Sequence, residues 1–146
     1  MIIFLIIAIG IGGYILNEID FIPQDNFDAL LRKTINDNKG GHFNISNITP
    51  FAWDRLYIFP PYSDTTFIEN NEHAAIGNAD IIDADEGSCL LIFVLDNNIV
   101  YQLRFNRRYG DFFKQAFRKE GYSVEEAQFT VPNKDGYWLK IESLKR

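Results

Sequence analysis

Cys89-Leu-Leu-Ile-Phe-Val-Leu95, followed by Asp96-Asn97-Asn98 and then Ile99-Val-Tyr-Gln-Leu-Arg-Phe105, is the stretch on which the fold turns. Its first run is continuously apolar, as a strand buried on both faces requires. Its second run alternates: Ile99, Tyr101, Leu103 and Phe105 share one face, and Val100, Gln102 and Arg104 the other. Asp and Asn tolerate positive φ, so two such runs joined by them predict a β-hairpin with a central strand and a half-exposed one. Ile92, Val94 and Leu103 are expected in one core.

Downstream, Asp111 to Glu120 places Phe112, Phe113, Ala116 and Phe117 on one side of a predicted helix that Gly121 stops. Ser123 and Glu126 have capping-box spacing. Phe129–Val131 and Tyr137–Ile141 read as a last hairpin around Pro132 to Gly136. Upstream, Phe27, Leu30, Leu31, Thr34 and Ile35 recur at helical spacing between Asp25 and Asn38, with Gly40-Gly41 as the end. His42 to Thr49 reads as a strand stopped by Pro50. Arg55 to Phe59 reads as another, closed by Pro60-Pro61, which cannot donate to a ladder. Ser63 caps a short predicted helix running through Ile68, and Ala74 to Gly87 reads as a loop. Six short strands and three helices in mixed order predict the α+β class: one antiparallel sheet with helices packed on one face.

Met1 to Leu16 carries no charge and no proline and is almost wholly Ile, Leu, Phe, Ala and Gly. As a helix it would reach about 24 Å, short of the roughly 30 Å hydrocarbon core unless residues to Ile22 contribute. It lacks a basic opening and an Ala-x-Ala site, so an uncleaved signal-anchor over residues 1–22 is expected rather than a cleaved signal. The lone cysteine, Cys89, lies far from the leader, which excludes an acylated lipoprotein cysteine. The absence of nearby Lys and Arg favours an extracytoplasmic domain over residues 23–146.

The net charge of −6 argues against sequence-independent nucleic-acid binding. Asp80, Asp83, Asp85 and Glu86 lack EF-hand spacing and read as a solvated acidic loop, and His42 and His73 are too far apart to suggest zinc. No nucleophile elbow, phosphate-cradling glycine loop or paired-histidine motif is present, so neither an enzyme nor a cofactor is expected. The segment from Asp64 to Glu86 is acidic without a Lys or Arg. A basic stretch follows, from Arg104 through Arg107, Arg108, Lys114, Arg118 and Lys119, interleaved with Phe105, Tyr109, Phe112 and Phe113.

Phe51-Ala-Trp53-Asp54-Arg-Leu-Tyr57-Ile-Phe59-Pro-Pro61-Tyr62 resembles a Trp-Asp-x-x-Tyr-x-Phe-x-Pro-Tyr pattern of small bacterial exported proteins and lipoproteins. The resemblance spans about Phe43 to Phe105 and implies an envelope location and a small α+β domain, without a reaction. Read for physics, Trp53, Tyr57, Phe59 and Tyr62 are either core or a solvent-facing aromatic patch. Together with Asp64, Asp83, Asp85 and Glu86 they form the candidate binding set. The expected function is that of a membrane-tethered, non-catalytic envelope domain that binds a macromolecular partner. An immunity-type protein that neutralises a toxin domain is the alternative.

Overall fold

The computed structural model describes residues 25–63, 86–112 and 118–144. The leader lies outside the described residues, as do the helix expected after Ser63 and most of the acidic segment. Among the described residues no helix is long and apolar enough to cross a membrane.

The hairpin forms at the predicted place. Strands β3 (Ser88–Leu95) and β4 (Asn98–Asn106) pair antiparallel across a two-residue turn. Asp96 and Asn97 stand at φ 49° and 63°, the positive values that match the turn to the twist of the strands. Strand β2 (Arg55–Phe59) adds to the other edge of β3, with Arg55 opposite Val94 and Phe59 opposite Leu90. β3 is therefore central, and seven of its eight residues are buried.

The expectation of one six-stranded sheet with helices on one face is corrected here. Among the described residues the chain builds two three-stranded antiparallel sheets, β2-β3-β4 and one formed by β1 (His42–Asn44), β5 (Gln128–Thr130) and β6 (Glu142–Ser143), and a single α-helix, which makes the fold β-rich rather than α+β. Strand β1 (His42–Asn44) does not join the hairpin sheet but pairs with β5 (Gln128–Thr130) far along the chain. Gly40 N donates to Val131 O and Ile45 N to Ala127 O, both at 3.0 Å, extending this pairing at either end. β1 is also shorter than expected, because Ile45–Asn47 winds into a 3₁₀ turn capped by the Asn44 side chain. The last strand, β6, is Glu142–Ser143 rather than Tyr137–Ile141, so the closing hairpin has a longer loop. At Asp111 the expected helix does not begin. The Asp111 backbone bonds instead to Leu139 O at 2.7 Å and accepts from Ile141 N at 2.9 Å, which holds the chain extended. Residues 113–117 lie outside the described residues.

Helix α1 (Asp25–Asp37) follows its apolar stripe: Phe27, Leu31 and Ile35 are buried at four-residue spacing. Gly40 at φ 77° ends it in the left-handed conformation that glycine adopts without a Cβ clash. Phe27 packs edge-on to Phe51, Phe93 and Tyr101 at 5.5–5.7 Å between centroids, which seats α1 on the inner face of the hairpin sheet. Phe112 meets Phe105 on one side and Phe129 on the other, joining the two sheets in one core.

The opposite face of the hairpin sheet carries a second buried cluster, Tyr57, Phe59, Leu90, Ile92 and Val94. Leu103 stands opposite Leu91 and shares its face, so Ile92 and Val94 belong to this second cluster and not to the core of Leu103. A register shift between Phe93 and Val94 pairs Val94 with Ile99 and leaves Val100 as the extra residue. Ile99 thereby leaves the face of Tyr101, Leu103 and Phe105 and packs on the second cluster.

The capping box forms: Glu126 Oε2 accepts from Ser123 N at 3.1 Å and Ser123 Oγ from Glu126 N at 3.3 Å. Arg118 Nη2 donates to the other Glu126 oxygen at 2.8 Å. The backbone bond from Ser123, followed by the Arg118 contact, holds the Glu126 carboxyl below its ordinary value. Because the folded value lies below the unfolded one, this contribution to stability is full at neutral pH and is lost as pH falls through the folded value. An NMR titration that follows the Ser123 amide should show a midpoint below the ordinary glutamate range. A midpoint at or above that range would contradict the box.

Candidate functional site

The sequence-derived aromatic candidates separate on burial. Trp53 is 6% exposed, packs edge-on to Phe93 at 5.4 Å and donates its indole N–H to Thr49 Oγ1 at 2.8 Å. Phe59 is fully buried and stacks with Tyr57. Tyr62, at φ 63° in the turn after Pro60, is 54% exposed. These four therefore share no outward face: three belong to the interior and one to the surface. Asp64, Asp83 and Asp85 lie outside the described residues, and Glu86 is exposed. Among the described residues no group of His, Cys, Asp and Glu is placed to hold a metal ion.

An exposed surface of a different composition forms at the open end of the hairpin. β4 runs out into Arg107-Arg108-Tyr109, and the Arg107 amide bonds back to Gly87 O at 2.8 Å. The segment between β5 and β6 brings Tyr137 and Trp138 alongside. The Arg107 guanidinium lies over the Trp138 ring at 4.3 Å, and that of Arg108 over Tyr137 at 4.8 Å. From α1, Arg32 covers Tyr109 at 4.0 Å while also pairing with Asp28. Tyr137 is 68% exposed and Trp138 43%. Trp138 also holds a φ of 63°, unusual for a bulky side chain and a form of strain that clusters at functional sites.

Arg107 anchors this surface. Its Nε and Nη2 bond both oxygens of Asp111 at 2.8 and 3.1 Å, and Nη1 donates to the Glu86 carbonyl at 2.8 Å. The hydrogen bond to Asp111 raises the Arg107 pKa further, so its charge is constant at any physiological pH. Arg108 makes no ion pair among the described residues, so its donors are available to an incoming acceptor. Of the candidates read from sequence, Glu86 alone borders this face. The basic stretch held half of the signal, in Arg107, Arg108 and Tyr109. The other half, Tyr137 and Trp138, looked like strand residues.

A cavity of about 480 Å³ opens at the other end of the hairpin, lined by Asp54, Arg55, Tyr57, Val94, Asn97 and Glu120. Asp54 Oδ2 accepts from the Asp96 amide at 3.0 Å and so braces the turn. Glu120 precedes Gly121, whose φ of 65° lets the backbone close onto β2. Leu56 and Tyr122 then exchange hydrogen bonds of 2.9 and 2.8 Å. A Cβ at Gly121 would stand 3.0 Å from both Leu56 O and a Tyr57 ring carbon. Burial pushes the Tyr57 phenol up, Arg55 opposes the shift, and Asp54 and Glu120 add to it.

Comparison with known proteins adds no relative: no family model, no curated protein and no solved structure matches this chain.

Proposed function

We propose that this chain is a non-catalytic binding domain that holds a protein partner on the arginine–aromatic face of Arg107, Arg108, Tyr109, Tyr137 and Trp138. The observation that supports this reading is the exposure of Tyr137 and Trp138 beneath arginine guanidinium groups. Trp, Tyr and Arg are the residues enriched at interface hot spots, where rigid rings supply contact area at little entropic cost. The Arg107–Asp111 fork fixes one stack in place before a partner arrives, and such pre-organisation lowers the cost of binding. The apolar leader and the resemblance to exported proteins support a membrane-tethered, extracytoplasmic setting for this domain. An immunity-type role is the form the proposal takes if the partner is a toxin domain.

A photo-crosslinking residue introduced at Tyr137 in living cells tests the proposal, with the exposed Asn47 as the control position. A discrete protein adduct from position 137 that Arg108→Ala removes is expected. Adducts of equal yield from both positions, or none from position 137, would contradict it.

A further inference from the structure

We propose that the cavity at the turn end of the hairpin is a separate binding site for a small zwitterion of the amino-acid or short-peptide class. The cavity, about 480 Å³, is in the usual size range of ligand clefts, roughly 300–1,000 Å³. Its walls carry two carboxylates, Asp54 and Glu120, and one guanidinium, Arg55. Among the described residues none of the three makes an ion pair, so opposite charges face one space without neutralising each other. Asp54 uses one oxygen to brace the Asp96 amide, which leaves the other for a ligand ammonium.

A ligand with a single charge leaves part of these walls without a counter-charge. An ammonium alone answers the two carboxylates but leaves Arg55 unmatched, and a carboxylate alone answers Arg55 but meets Asp54 and Glu120. A neutral ligand leaves all three charges uncompensated. A zwitterion places its ammonium toward Asp54 and Glu120 and its carboxylate toward Arg55, with Val94 as the apolar wall and Tyr57, 2% exposed, as the floor. The lining is held firmly. Arg55 and Val94 are paired across β2 and β3, the Asp54 amide donates to Val94 O at 2.8 Å, and Gly121 locks Glu120 to β2. The hairpin strands separate this cavity from the arginine–aromatic face by about 25 Å, so the two sites are physically distinct.

The test uses full-length protein in detergent micelles and follows the backbone amides of Asn97 and Gly121 by NMR. The probes are L-leucine and leucyl-leucine as zwitterions, leucinamide as the cation and N-acetylleucine as the anion. At least one zwitterion should shift both amides and bind about tenfold or more tighter than either singly charged probe. Preference for leucine identifies a free amino acid as the occupant, and preference for leucyl-leucine a short peptide. Arg55→Gln should reduce zwitterion affinity to that of leucinamide, and Glu120→Gln should reduce it toward that of N-acetylleucine. Both side chains are exposed, so neither change threatens the fold. No shift with either zwitterion at millimolar concentration, or equal binding of leucine and leucinamide, would overturn the proposal.

Discussion

Phe93→Ala should lower the unfolding free energy by about 3–5 kcal/mol, the range for removing a buried aromatic ring. Phe93 is fully buried in the central strand and lies within 6.1 Å, centroid to centroid, of Phe27, Phe51, Trp53 and Tyr101. It joins α1, the loop before β2 and both hairpin strands, so no single neighbour can move to fill the space. Against a total stability of roughly 5–15 kcal/mol, such a loss leaves the domain near its unfolding threshold. Val100→Ala, at the exposed extra residue beside Tyr101, should cost no more than about 0.5 kcal/mol. Urea unfolding followed by tryptophan fluorescence measures both. A Phe93→Ala loss below that of an ordinary surface change would mean that the core is centred elsewhere.

Arg107→Ala should cost about 3 kcal/mol, because it removes the two-pronged charged partner of Asp111, a residue only 7% exposed. The effect is larger than for a surface ion pair because both side chains are mostly buried and the contact is a two-pronged fork. Asp111 is also the residue whose backbone ties Leu139 and Ile141 to the rest of the fold. Displacing its side chain therefore loosens the segment that carries Tyr137 and Trp138. Arg107→Lys keeps the charge but not the fork and should recover only part of the loss. Equal stability of Arg107→Ala and the unaltered protein in denaturant would remove Arg107 from its anchoring role.

The parts of this fold legible in the sequence are those encoded locally. Helix α1 was visible because Phe27, Leu31 and Ile35 repeat within one segment. The β3–β4 hairpin was visible because an unbroken apolar run, an Asp-Asn turn and an alternating run are adjacent. β2 was bounded by its own prolines. The division into two sheets was not visible. Alternation marks a strand but does not name its partner, and β1 finds β5 only after the whole hairpin sheet has intervened. The bulge at Val94 was hidden for a related reason: Ile99 fits the alternation of β4 perfectly, and only pairing with Val94 turns it to the other face. The site divides in the same way. Arg107, Arg108 and Tyr109 stood out as basic residues beside an aromatic, but Tyr137 and Trp138 joined them through tertiary contacts that no spacing rule expresses. Tyr57 stands out in the sequence as an aromatic, whereas its companions in the cavity, Arg55, Val94 and Glu120, have the pattern of ordinary strand and helix residues.

The central claim is that Tyr137 and Arg108, two exposed residues of the arginine–aromatic face, bind a protein partner without supporting the fold. It is tested most directly by measuring, on the partner captured at position 137, both affinity and thermal stability for Tyr137→Ala and Arg108→Ala. Both side chains are largely outside the core, so melting temperatures should stay close to that of the unaltered protein. The affinity should fall by about 2 kcal/mol or more for Tyr137→Ala, roughly thirtyfold, as for a hot-spot aromatic. Unchanged affinity in both variants, or a loss of affinity that merely follows a loss of stability, would contradict the account.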